Sequence, residues 1–216
     1  MPGLSCSEQG EELSSPIGFD PQAWQGLATA NLSDVIGRVG AMDGGIRRLC
    51  GDRMVGPAHT VVTGTGDSSS IHRALVDAPS GSVLVIDAQG GIARAVWGNV
   101  LTVAATERGV VGAVIDGAVR DIDDIAALDF TLYARAICPA GPHKGFQGEH
   151  GAPVQCGGVV VNSGDIVAGD ADGVTVVPAA QASTVLAAVD RVVALEQEWM
   201  DRIGAGESSA KILGLE

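Results

Sequence analysis

Apolar residues along this chain recur in two patterns. Buried strands are predicted where they run together: Pro57 to Thr63, Val83-Leu84-Val85-Ile86-Asp87, Val110 to Ile115 and Thr131 to Ile137. Helical spacing appears between them. A first helix carries Ile71, Ala74, Leu75 and Val76. A second runs from Val100 to Arg108 with Val100, Leu101, Val103, Ala104 and Ala105 apolar, and Gly109 stops it where a left-handed residue is easily placed. Asp121 to Leu128 predicts a short third helix with Ile122, Ile125 and Leu128 inward and Asp121 at its N-terminus. Strand and helix alternating in this way predict an α/β architecture.

The flanks read differently. Pro21 opens a short helix through Trp24, Leu27 and Ala28, and Asn31-Leu32-Ser33-Asp34 offers N-cap residues for a second that ends near Gly37. Beyond the central region, Val159-Val160-Val161, Ile166-Val167-Ala168 and Val174-Thr175-Val176-Val177 are short strands. The turn sequences Asn162-Ser163-Gly164-Asp165 and Asp170-Ala171-Asp172-Gly173 separate them and predict a β meander. An amphipathic helix spans residues 178–203, through Val185, Leu186, Val189, Val192, Val193, Leu195 and Trp199, and is a candidate subunit contact. Residues 1–20, acidic at Glu8, Glu11 and Glu12, read as a disordered tail, and residues 21–216 as one domain.

Composition narrows the function classes. The chain has 216 residues, and its 13 Lys and Arg against 26 Asp and Glu leave a net charge of −13, which disfavours a nucleic-acid surface. An anionic small molecule would have to be held by local devices: a helix N-terminus, a lone arginine or a metal ion. Cys6, Cys50, Cys138 and Cys156 are scattered without metal-like spacing, which suits reduced thiols and a cytoplasmic protein, and no apolar run reaches membrane-spanning length.

The candidate chemistry lies at the ends of two central strands. Trp97-Gly98-Asn99-Val100-Leu101 begins a helix, and Asp116-Gly117-Ala118-Val119-Arg120-Asp121 forms a turn beyond the next strand, where α/β layers collect ligands. The glycine loop Ala88-Gln89-Gly90-Gly91 should border this site, and the loop Pro139 to Gly151, with His143, Lys144, Glu149 and His150, could be a lid. Gly64-Thr65-Gly66 reads as a loop turn more readily than as a phosphate cradle, because the second half of a dinucleotide fingerprint is missing. Asp87 and Asp116 either begin turns or face the site. Asp123 and Asp124 read as a solvated helix face. His59, His72, His143 and His150 share no metal-ligand spacing and read as ordinary polar histidines.

The two motifs, with Val83 to Asp87, Asn162 to Asp165 and Asp170 to Val174 in the same order, resemble the class II pyruvate aldolase and RraA-like family, which includes 4-hydroxy-4-methyl-2-oxoglutarate aldolases and RraA ribonuclease regulators. The resemblance implies a single-domain α/β fold, an αββα sandwich of the swivelling β/β/α type. It further implies homotrimers or homohexamers with sites between subunits. It places a substrate carboxylate on the amides of Gly98, Asn99, Val100 and Leu101, Arg120 at the 2-oxo oxygen, and Mg²⁺ or Mn²⁺ on Asp121. The expected activity is a divalent-metal-dependent lyase that releases pyruvate by retro-aldol cleavage of a 4-hydroxy-2-oxo acid, decarboxylates oxaloacetate, or both. The alternative is a non-catalytic RraA-like protein-binding regulator. Asn99 stands where the aldolase motif has an acidic residue, and an amide cannot take a proton. The resemblance leaves metal-bound water, or Glu196 or Glu198 of a neighbouring subunit, as the base.

Overall fold

In chain order the elements of the computed structural model, which describes residues 19–216, are α1 (Pro21–Trp24), α2 (Thr29–Val35), β1 (Arg47–Cys50), β2 (Met54–Val62), α3 (Ser69–Ala74), β3 (Val83–Trp97), α4 (Asn99–Glu107), β4 (Gly112–Val119), α5 (Ile122–Ala126) and β5 (Thr131–Ile137). There follow β6 (Val154–Cys156), β7 (Val159–Val161), β8 (Ile166–Gly169), β9 (Val174–Val177), a 3₁₀ turn (Ala179–Gln181), α6 (Ala182–Gly204) and α7 (Ser209–Ile212). Of the expected N-terminal tail, all but Phe19 and Asp20 lies outside the described residues.

Seven strands form one sheet in the order β1-β5-β4-β3-β2-β8-β9, with β2, β3, β4 and β5 parallel. Their side chains alternate between two cores, as a strand buried on both faces requires. Leu84, Ile86, Ala113, Ile115 and Leu132 face a layer of α3, α4 and α5. Val83, Val85, Val114 and Tyr133 face the opposite way, onto β8, β9 and the small β6-β7 hairpin. A third core joins Trp24, Leu32, Val185 and Val189 of α1, α2 and α6 to Ile166 and Val177 of β8 and β9. The layers therefore run helix, sheet, curled sheet, helix: a mixed α/β fold in one domain.

Several expectations need correction. The glycine segment 88–91 is no loop: β3 runs on through it to Trp97, and the ladder with β4 slips at Asp87/Gly91 and Gly91/Ala95, bulges that carry the strand past the glycines. The fourth strand likewise continues to Val119, so Asp116 lies inside it. Its carboxylate accepts from the Arg135 guanidinium and from the Gly157 backbone N–H at 2.8 Å, tying the sheet to the segment beside β6. Asp87 does shape a turn, accepting from the Gln89 N–H at 2.8 Å. The second helix begins at Thr29, because its start is fixed from outside the expected cap residues: buried Asp170 accepts from the Thr29 N–H and hydroxyl at 3.0 and 2.7 Å. The meander holds only for β8 and β9, since β7 pairs with β6. Leu128 after α5 is exposed, at odds with its expected inward face, and Val100 and Val103 on α4 are exposed as well. No helix among the described residues is long and apolar enough to cross a membrane.

Candidate active site

Three segments converge on a cleft of about 320 Å³: the start of α4, the turn after β4, and the start of α3 with the loop that follows β5. The first is rigid. Trp97 is 1% exposed, its indole N–H donates to the Thr102 hydroxyl at 2.8 Å, and its ring stacks on Phe130 with centroids 5.9 Å apart. Thr102 in turn donates to the Gly98 carbonyl at 3.2 Å. The first turn of α4 is thus held from inside the core.

Not all N–H groups at the start of α4 are open to a ligand. The first amides of a helix lack intrahelical acceptors, but here the Asn99 N–H donates to the Asp121 carboxylate at 3.1 Å and the Leu101 N–H to the Gly98 carbonyl at 3.1 Å. The Val100 N–H is left for an anion. Gly98, Val100 and Leu101 line the cleft. Asn99 does not; its Oδ1 is buried without a partner.

Arg120 and Asp121 leave the sheet together at the end of β4, and both side chains line the cleft. Arg120 Nε and Asp121 Oδ2 lie 3.5 Å apart, with 40% and 35% of the side chains exposed, so neither is locked beneath the surface. An ion pair this exposed adds little stability. Asp121 adopts a left-handed backbone, φ 61°, just before α5. A non-glycine residue there is strained, although aspartate tolerates it better than most. Gly98 makes room for the pair: a Cβ on it would come within 2.6 Å of the Asp121 carboxylate and 3.2 Å of Arg120 Cγ.

The far wall was not legible as part of the site. Ser68, His72 and Lys144 line the same cleft. The loop carrying Lys144, expected as a lid, is pinned. Buried Asp67 accepts from the N–H groups of Ser69 at 2.7 Å and Phe146 at 3.1 Å, the Gly145 N–H donates to the Ser69 hydroxyl at 2.7 Å, and the Arg73 guanidinium donates to the Phe146 carbonyl at 2.7 Å. Burial alone would raise the Asp67 pKa, but these donors outweigh it and hold the carboxyl below its usual range. Burial, aided by the charge of Lys144, pushes the His72 pKa down. His59 and His150 stand apart from the cleft as a tilted pair with centroids 5.6 Å apart.

Glu196 and Glu198, the candidate bases from a neighbouring subunit, sit on α6, none of whose residues lines the cleft within one chain. Glu196 accepts from the Asn31 amide at 2.7 Å, and Glu198 lies 3.6 Å from Arg202. Among the described residues no three His, Cys, Asp or Glu side chains are grouped to hold a metal. Asp121 is the single carboxylate on the cleft among those residues. That donor set fits Mg²⁺ or Mn²⁺ better than zinc, since Mg²⁺ is commonly held by one or two carboxylates with water and substrate oxygens completing the shell.

Comparison with known proteins agrees with this architecture. Residues 29–176 match the RraA-like family model, described as Aldolase/RraA. A protein of Halalkalibacterium halodurans, provisionally named a 4-hydroxy-4-methyl-2-oxoglutarate aldolase, is 42% identical over 135 residues, 62% of this chain and 64% of that relative. The match thus spans less than two thirds of the relative's length. An uncharacterized protein from Pseudomonas syringae pv. tomato superposes with a TM-score of 0.72 at 28% identity, covering 87% of this chain and 92% of that one. The RNA-processing inhibitor RraA of Thermus thermophilis superposes at 0.65 with 30% identity, over 70% of this chain and 92% of that one. With the strand order, the glycine-started helix and the Arg120-Asp121 turn all in place, the match over residues 29–176 makes this chain a member of the RraA-like family.

Proposed function

We propose that the chain is a lyase for short 2-oxo acids, releasing pyruvate by retro-aldol cleavage of a 4-hydroxy-2-oxo acid, by decarboxylation of oxaloacetate, or by both. One observation carries this reading: Arg120 and Asp121 face the same cleft as the open amide at the start of α4. The substrate carboxylate sits on the Val100 N–H, where the helix terminus favours negative charge. The Arg120 guanidinium reaches the 2-oxo oxygen. When the bond between C3 and C4 breaks, its electron pair moves to that oxygen as an enolate, and Arg120 holds the developing charge in place. Protonation at C3 then yields pyruvate. Asp121 would hold Mg²⁺ or Mn²⁺, which when bound supplies Lewis-acid stabilisation of the same oxygen.

The two reactions differ in what they ask of Asn99. Decarboxylation needs no proton removed from a hydroxyl, whereas the retro-aldol step does, and Asn99 cannot accept it. The cleft therefore favours decarboxylation unless a base comes from a second copy. Assembly into homotrimers or homohexamers, with the cleft near the contact, agrees with Val100 standing 76% exposed at the site and Ile137 59% exposed at the end of β5. The test is pyruvate release from oxaloacetate and from 4-hydroxy-4-methyl-2-oxoglutarate, with and without Mg²⁺ or Mn²⁺.

A second reading, a regulator that binds another protein, draws on Asn99 and on the likeness to the Thermus RNA-processing inhibitor. It predicts no turnover of either acid and no effect of Arg120→Ala on binding to the protein partner.

A further inference from the structure

Polar contact alone does not hold Arg120 still. Among the described residues its ionic neighbour is Asp121, and the 3.5 Å between Nε and Oδ2 is too long for a hydrogen bond that fixes a flexible side chain. Shape does that instead. A Cβ on Gly98 would lie 3.2 Å from Arg120 Cγ and 3.4 Å from its Nε, and a Cβ on Gly141 would lie 2.7 Å from Nη1 and 3.6 Å from Cζ. The guanidinium therefore fills the space that a side chain at residue 141 would need. Gly141 is not one of the left-handed glycines, and Pro142 behind it confines its backbone further, so space and not conformational freedom calls for glycine there.

The backbone around Gly141 is itself tied down. The Ala140 carbonyl accepts from the Ala95 N–H at 2.8 Å, the His143 N–H donates to the Gly66 carbonyl at 2.7 Å, and the Gly141 carbonyl accepts from the Arg94 guanidinium at 3.1 Å. The stem of Arg94 lies against Gly66, where an added Cβ would come within 3.0 Å of the Arg94 Cβ. One exposed arginine thus clips the backbone on which the arginine of the cleft rests.

We propose that Gly141 and Arg94 are positioning residues for Arg120: with Gly98 they make a slot that orients the guanidinium before any substrate arrives, by backbone packing and not by charge. The inference rests on the lyase reading for what Arg120 then does, and goes beyond it by assigning residues that act through Arg120 and not on the substrate. A guanidinium already aimed loses less freedom when it bonds the 2-oxo oxygen, and needs no rearrangement as charge develops there.

Calorimetric titration of the full chain with oxamate, an unreactive planar analogue of pyruvate, tests this in the presence of Mg²⁺, beside oxaloacetate turnover. Gly141→Ala should leave the thermal midpoint at or above that of wild type, since its methyl meets only the end of a flexible side chain and alanine narrows the unfolded ensemble. Oxamate affinity should nevertheless fall about 10-fold, the scale of one misdirected charge-assisted hydrogen bond, and kcat for oxaloacetate about 100-fold. Arg120→Lys keeps the charge but vacates the slot, so adding Gly141→Ala to it should cost less than about twofold in oxamate affinity. Arg94→Ala should weaken oxamate by about 5-fold, and Arg94→Lys, which keeps a donor, should recover most of that loss. Losses coupled in this way, with no turnover of any 2-oxo acid, would keep the slot and remove the lyase reading. Equal penalties for Gly141→Ala in the two backgrounds, a lowered midpoint, or wild-type binding in Gly141→Ala would overturn the slot and leave any lyase activity standing. Neither oxamate binding nor turnover in the wild type would overturn both.

Discussion

The carboxylate of Asp121 accepts a hydrogen bond from the backbone N–H of Asn99 at 3.1 Å, and this bond fastens the turn after β4 to the first turn of α4. It also sets which oxygen of Asp121 remains for a cation. The substitution that separates these roles is Asp121→Asn, because asparagine tolerates the left-handed backbone and keeps an acceptor oxygen. It should fold with a thermal midpoint near wild type and lose turnover. Asp121→Ala should lose turnover and also about 1 kcal/mol of stability, the cost of a Cβ without a local polar side chain at φ 61°. Denaturant titration beside a pyruvate assay distinguishes the two.

Space rather than backbone freedom explains Gly98, whose φ of −168° suits any residue. Gly98→Ala would drive a methyl to 2.6 Å from Asp121 Oδ2. The expected outcome is a loss of turnover of about 100-fold, as for a small misplacement of a catalytic group, with secondary structure unchanged by circular dichroism. Full activity in this variant would show that the Arg120-Asp121 geometry is not required.

Asn99→Asp tests the division between the two reactions. The Asn99 side chain does not line the cleft, so a carboxylate there takes the hydroxyl proton only by turning into the cleft or through a water; if it does, retro-aldol turnover rises relative to oxaloacetate decarboxylation, by about 100-fold for general base catalysis. An unchanged ratio of the two rates would mean that the base comes from elsewhere, a second copy included.

Stability should fall in two stages on acidification. Burial pushes the His59 pKa down, aided by His150, so the folded state disfavours its charged form, and its contribution is present above about pH 6.5 and lost as pH drops below it. Asp67 and Asp170 are the opposite kind of group. Burial would raise both, but the N–H and hydroxyl donors of Ser69, Phe146 and Thr29 win and lower them. Their stabilisation holds above about pH 4 and disappears as pH falls through their lowered folded values. Guanidinium midpoints between pH 8 and pH 3 should show both steps. A midpoint that rises from pH 7 to pH 5 would contradict the assignment.

How much of this was legible in the sequence depended on whether local pattern or distant contact decided the matter. Val83 to Ile86 and the first half of Thr131 to Ile137, up to Ala134, were readable as strand because their apolar runs reflect burial on both faces, and Gly109, at φ 72°, stopped α4 as read. The continuation of β3 past its glycines was hidden, since pairing with β4 on either side of the left-handed Gln89 and Gly90, at Asp87 and again at Gly91, Ala95 and Trp97, is what carries the strand on. The turn motifs at Asp165 and Asp170 were visible, but their work was not: both carboxylates cap segments far away in sequence, Ala179 and Thr29. The Arg120-Asp121 half of the cleft could be found because its residues are adjacent. Ser68, His72 and Lys144 could not, for they meet only when the loop after β5 folds back on α3; the acid-serine run Asp67-Ser68-Ser69 was the one local hint.

The most direct measurement is a lactate dehydrogenase-coupled assay of pyruvate release from oxaloacetate by the purified full chain, run with Mg²⁺, with Mn²⁺ and with chelator, beside Arg120→Ala and Asp121→Asn. The expected result is cation-dependent turnover above the spontaneous rate that both substitutions abolish. Turnover that survives in either variant, or none in the wild type with oxaloacetate and with 4-hydroxy-4-methyl-2-oxoglutarate alike, would contradict it.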